Sequence, residues 1–240
     1  MIVRACVSSN FGDALNTELI RLITSEKPQL VNNSFKNPDN EDIYMAIGSV
    51  LGWADKNTIV WGAGKMSDTD ATMFKEAPKK ICAVRGPLTR DEIIKRGFDC
   101  PEVYGDPALL MPRFFDPRVE KKYSVSVIPH AIDRVLIPEI KKDLKFDAHF
   151  IDVTQNVYDF IREIKQSEFI ISSALHGCIM AHAYGIPYEH VLFSTKVLGN
   201  GFKFRDFEAS KELIDLDKLM KVCPFRKEDI NYDIEKEEDY

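Results

Sequence analysis

The chain has 240 residues, 45% apolar and 29% charged, with a formal net charge of −6. That length can bury a substantial core, in one large domain or in two of about 110 residues each, and the composition is that of an ordinary soluble globular protein. The acidic balance argues against broad nucleic-acid binding, which needs a clustered basic surface. No apolar run approaches the roughly 18 residues of a membrane span, and MIVRACVSSN turns polar too soon for a secretory leader, so a cytoplasmic protein is expected.

In chain order, IVRACV reads as a strand, SSNFGDALN as a loop, and TELIRLIT as a helix with Leu19, Leu22 and Ile23 on one face. YMAIGSVL and TIVWGAG read as further strands or strand ends. KICAVRGPLTRDEIIKRG is more explicit, with a strand through Val84, Pro87 near a helix start and Gly97 where that helix stops. PEVYGDPALLMP supplies another strand edge and turn.

A second series begins near residue 122. YSVSVIPHAID is a strand ending at Pro129 and His130, DAHFIDV another, VYDFIREIKQS a helix and EFIISS a third strand. HGCIMAHAYG is a short helix closed by Gly185, with Pro187 beyond it, and YEHVLF opens the next strand. The stretch LMPRFFDPRVEKK separates the series. The expected organisation is therefore α/β, with Rossmann-like domains over 1–115 and 122–225 and an acidic, solvated tail over 226–240. Two such domains side by side would form a central cleft, and ligands of parallel sheets gather beyond the carboxyl ends of the strands.

Cys6, Cys82, Cys100, Cys178 and Cys223 are scattered, odd in number and without a CxxC pair, so neither a disulfide framework nor a metal site is expected. WGAGK lacks the GxxxxGK[ST] spacing of a phosphate-binding P-loop, and no GxGxxG is present. The loops that follow strands hold the polar candidates instead. His176 stands between an apolar strand and a small-residue helix, where the helix N-terminus favours an anion and imidazole can exchange a proton near neutral pH. Gly177 permits close backbone approach to a ligand. Arg85 ends a strand and could grip a carboxylate or phosphate in bidentate fashion. Lys203 and Arg205 alternate with phenylalanines, and in an extended segment they would share one face. His149, His182 and His190 read as packed or structural.

Five segments, NFGDALN at 10–16, VRGPLTR at 84–90, YGDPALLMP at 104–112, SSALHGCIMAHAYGIP at 172–187 and KFRDFEAS at 203–210, together resemble the polysaccharide pyruvyl transferases. The resemblance implies a fold like the B-type glycosyltransferases, phosphoenolpyruvate as donor with no further cofactor, and a pyruvate ketal on two sugar hydroxyls as product. With that chemistry, the residues' own features assign proton transfer to His176 and donor binding to Arg85, Arg205, Lys203, Gly177 and Ser173. Asn10, Asp13, Asn16, Asp106 and His130 are cleft or acceptor-side candidates. Some family members carry Arg two positions before the motif histidine, where this chain has Ala174. A lipid-linked oligosaccharide acceptor would bring the protein to a membrane surface, although the sequence holds no clear amphipathic anchor. Two other readings stay open: a nucleotide-sugar glycosyltransferase and a noncatalytic glycan-binding relative.

Overall fold

Runs of β-branched and aromatic residues bounded by Gly, Asn and Asp form short strands, each paired in parallel with its neighbours. The structure, a computed structural model, describes residues 1–8 and 10–225, with Asp70 described in its backbone alone. The acidic tail expected over 226–240 lies outside the described residues. The first series comprises β1 (Ile2–Arg4), α1 (Phe11–Thr24), β2 (Gln29–Val31), β3 (Ile43–Met45), β4 (Thr58–Trp61), β5 (Lys80–Ala83) and α2 (Pro87–Ile94). The second comprises β6 (Tyr123–Ile128), α3 (Ile137–Asp143), β7 (His149–Phe150), α4 (Val157–Gln166), β8 (Ser167–Ser172), α5 (Leu175–Ala183) and β9 (Tyr188–His190), after which come α6 (Phe202–Ser210) and α7 (Leu216–Lys221).

The strands form two sheets, ordered β2-β1-β3-β4-β5 and β7-β6-β8-β9. In each, the first strand lies inside the sheet, the chain winds outward on one side, and then it reverses. That order is compatible with a Rossmann-like fold, and the reversal points, β1/β3 and β6/β8, are where parallel sheets place ligands. Strand β4 is buried along its whole length, as a strand covered on both faces must be. Helix α4 buries Val157, Phe160, Ile161 and Ile164, the i, i+3, i+4, i+7 stripe of an amphipathic helix, and Asn156 caps it by accepting from the Tyr158 N–H at 2.8 Å.

The chain divides into two units. One contains Met1–Ser8, Gly12–Leu110 and the described residues from Gly199 onward; the other contains 10–11 and 111–198. The second domain expected over 122–225 therefore ends early, because α6 and α7 pack with the first unit: Trp61 Nε1 donates to the Leu219 carbonyl at 2.9 Å, and Leu219 and Met220 are buried.

Three local expectations are corrected. Helix α1 starts at Phe11, so Asp13 and Asn16 lie on a helix and not in a loop. Residues 203–205 are helical, so Lys203 and Arg205 do not share an extended face; over the longer window Lys203, Asp206, Phe207 and Ser210 are all buried, a helical spacing that outweighs the short alternation. His182 is exposed on α5, while His149 is structural, stacked on Tyr123 and bonded to Glu163 at 2.7 Å.

Candidate active site

In the first unit, β5 delivers Arg85 to the turn that begins α2. Its guanidinium is fully buried. Nε donates to Asp206 Oδ2 at 3.0 Å, Nη2 lies 2.9 Å from the same oxygen and donates to the Lys65 carbonyl at 2.7 Å, and Nη1 donates to Ser49 Oγ at 2.7 Å. Asp206 also accepts from the Thr89 N–H at 2.8 Å and from Thr89 Oγ1 at 2.7 Å, so this carboxylate from α6 sits on the N-terminus of α2. The anion place expected at the VRGPLTR segment is thus filled by the chain's own Asp206, and Arg85 is an internal partner and not an open grip.

Two glycines make this possible. A side-chain carbon on Gly64 would overlap the Arg85 guanidinium, and one on Gly86 would overlap the Asp206 carbonyl. The WGAGK segment, which is no P-loop, therefore serves to house the arginine. Its Lys65 is fully buried and pairs with Glu92 at 2.7 Å.

Lys203 sits on the same helix as Asp206 and is only 7% exposed. Burial, and then the neighbouring Arg85 charge, push its pKa down to about 8. Arg205 points elsewhere: it is exposed and holds Asp68 through both carboxylate oxygens at 2.8 and 3.0 Å, with a further bond to the Asn200 carbonyl.

The acceptor-side candidates of this unit are chiefly structural. Asn16 is fully buried and exchanges two 3.0 Å hydrogen bonds with the Ile47 backbone, tying α1 to the segment after β3. Asp106 is fully buried and accepts from the Ala108 N–H at 3.1 Å, stabilising the turn into the 3₁₀ segment Pro107–Arg113. Asp13, half-buried in the first turn of α1, accepts from Ser8 Oγ.

In the second unit, the polar residues gather where the winding reverses between β6 and β8. Ser173 is buried; its Oγ accepts from the His130 N–H at 2.8 Å and donates to Asp133 Oδ2 at 3.2 Å. Asp133, itself fully buried, accepts at Oδ1 from Ser194 Oγ at 2.5 Å. One carboxylate therefore joins the connections after β6, β8 and β9. His130 is half-buried and its Nδ1 accepts from the Ile132 N–H at 3.2 Å, which makes it a cap. Ser173 is accordingly committed inside the protein. Gly177 is also internal: a side-chain carbon there would overlap Ser172 Oγ, and its N–H closes on the Ala174 carbonyl at 3.1 Å. His176 differs from these. It lies in the first turn of α5, half-buried, directly after the reversal point, while Asn10, also half-buried, precedes α1.

The sequence pattern described as "Polysaccharide pyruvyl transferase" matches residues 10–188, most of the chain. The chain belongs to the polysaccharide pyruvyl transferase family. Two relatives are similar to this chain over most of its length. Uncharacterized protein L143 of Acanthamoeba polyphaga mimivirus is 28% identical over 228 residues, which cover 92% of this chain and 77% of L143. The succinoglycan biosynthesis protein ExoV of Rhizobium meliloti (strain 1021) is 31% identical over 208 residues, covering 82% of this chain and 60% of ExoV.

The pyruvyl transferase match ends before α6, yet α6 supplies Asp206 and Lys203 to the Arg85 environment. Sequence reasoning missed Asp206, Lys65, Thr89 and Ser49, whose partners are distant in the chain, and also Asp133 and Ser194. For Asp133 a faint signal existed, a single carboxylate in the apolar stretch IPHAIDRVLIP.

Proposed function

We propose that this pyruvyl transferase family member moves the pyruvyl group of phosphoenolpyruvate onto two hydroxyls of a sugar in a cell-surface polysaccharide or its precursor. The donor's methylene carbon takes a proton, one sugar hydroxyl adds to the adjacent carbon and loses its proton, phosphate leaves with its bonding electron pair, and a second hydroxyl closes the ketal with loss of its own proton. His176 is assigned proton transfer, an assistance worth about 10²- to 10⁴-fold in rate. Asn10 and Asp13 are the acceptor-side residues of this reading.

The observation that carries the proposal is the family match over residues 10–188 together with a half-buried imidazole in the first turn of a helix, at the reversal point of a parallel sheet. Two parallel α/β units suit the B-type glycosyltransferase-like architecture that belongs to this reading. Among the described residues no helix is long and apolar enough to cross a membrane, so a lipid-linked acceptor would be met at the membrane surface.

A second reading, a nucleotide-sugar glycosyltransferase, is favoured by one feature. A groove of about 480 Å³ in the second unit lies past β6 and β7, lined by Val135, Ile137 and Phe150 with Lys141 and Arg134, a size suited to a small ligand. Thermal-shift titration with phosphoenolpyruvate and with nucleoside diphosphates, followed by mass analysis of candidate glycans, separates the two. The proposal expects stabilisation by phosphoenolpyruvate and a pyruvylated product. Stabilisation by nucleotide alone, with no phosphate released from the donor, would transfer the assignment to the second reading.

A further inference from the structure

Three charged side chains share the interior of the first unit where α6 meets the start of α2, and their charges do not balance. Arg85 and Lys203 contribute two positive charges, Asp206 contributes one negative, and the remainder is one positive. Lys65 does not alter this sum because Glu92 pairs with it. Both Asp206 oxygens are engaged by Arg85 and Thr89. Among the described residues, no carboxylate forms an ion pair with Lys203; its recorded neighbour is the Phe204 ring, 5.5 Å from Nζ. A lysine side chain that is 93% buried beside a surplus positive charge is unfavourable unless something supplies a counter-charge.

We infer that Lys203 is the recognition cation of an oxyanion subsite in the first unit, completed when a phosphate or carboxylate group brings the missing negative charge. The inference rests on the donor reading only for the identity of the anion. A compact ammonium with three donors suits a phosphate oxygen or a carboxylate, whereas the Arg85 guanidinium beside it is already held by Asp206 and acts as a fixed positive background. Because Lys203 loses its proton near pH 8, anion binding should take up a proton in mildly alkaline solution. Other charged groups on or beside α6 and α2 are paired: Arg205 with Asp68, Lys211 with Glu208, and Glu92 with Lys65 and Lys95.

The test is calorimetric titration of the full chain with inorganic phosphate, pyruvate and phosphoenolpyruvate between pH 7.5 and 9.5, above the second ionisation of a phosphate group at roughly pH 6. Wild type is expected to lose about tenfold in affinity per pH unit above about 8. Lys203→Met should bind at least about tenfold more weakly at pH 7.5. Lys203→Arg should keep binding and lose the pH dependence, and it still decides the matter if the methionine variant does not fold. Lys218→Met, an exposed lysine bonded to the Glu102 carbonyl, should behave as wild type. Whether phosphate or pyruvate reproduces the effect tells which end of the donor sits on Lys203. Unchanged affinity in folded Lys203→Met would overturn the inference even if the protein turns over phosphoenolpyruvate. Lys203-dependent phosphate binding without any turnover would uphold the subsite and remove the donor reading.

Discussion

Arg85 and Asp206, 121 residues apart in the chain, meet with neither side chain exposed, and the carboxylate also closes the N-terminus of α2. A buried ion pair is seldom worth much against apolar residues of the same shape, but breaking one is costly because the survivor is left charged and dry. Arg85→Ala or Asp206→Ala should each lose about 3–5 kcal/mol in denaturant unfolding. The double variant Arg85→Met with Asp206→Leu should be far less damaged than the sum of its singles. Additive losses would show that the two side chains do not act as a unit.

Lys203 gives a pH-dependent expectation for stability. Its folded pKa, about 8, lies below the ordinary lysine value of 10.5, so the folded state holds the proton less tightly than the unfolded chain. The penalty is complete below pH 8 and disappears as pH rises towards 10.5. Lys203→Met should therefore be stabilised at pH 7, by on the order of 3 kcal/mol, and show no advantage near pH 10.5. Thermal or chemical unfolding at both pH values checks it, and an advantage that grows with pH would have the wrong sign.

Gly86 and Gly97 should differ when changed to alanine. Gly86 faces the Asp206 carbonyl, a backbone atom that cannot swing aside, so Gly86→Ala should cost about 2–3 kcal/mol and loosen α6. Gly97 has open space around it and only a positive φ of 82°, so Gly97→Ala should cost about 1 kcal/mol. Urea unfolding of the two variants side by side measures the difference.

Asp133 holds two serine hydroxyls in the second unit. Asp133→Ala leaves both without their acceptor and should destabilise by about 1–3 kcal/mol for each buried group left unsatisfied. Hydrogen exchange should show faster opening at His130, whose N–H is held by Ser173 Oγ. Protection unchanged at that amide would mean the three connections are held by other contacts.

The alternation of strand and helix, and the Pro and Gly marks around α2 and α5, were legible because each is a local signal. Strand β2 was not: three residues at a sheet edge after Pro28 carry no period. Helix α6 misled because four residues of aromatic-cation alternation imitate a strand, and only the nine-residue window restores the helical period. Arg85 was singled out by its strand end as an open grip for an anion, but it is held by Asp206, a partner that could not be read because nothing local in KFRDFEAS announces a contact with VRGPLTR. The same holds for Asn16, whose amide satisfies the Ile47 backbone 31 residues away. The place of His176 at the start of a helix was legible because a small-residue run follows an apolar strand there, and the ring lies half-buried in the first turn of α5.

The most direct measurement is ketal formation by wild type and His176→Ala, with phosphoenolpyruvate and an acceptor that wild type pyruvylates, alongside donor affinity and melting temperature for both. The yield is expected to fall by about 10²-fold or more while donor binding and melting temperature stay close to wild type. An undiminished yield in the folded variant would contradict the assignment of proton transfer to His176.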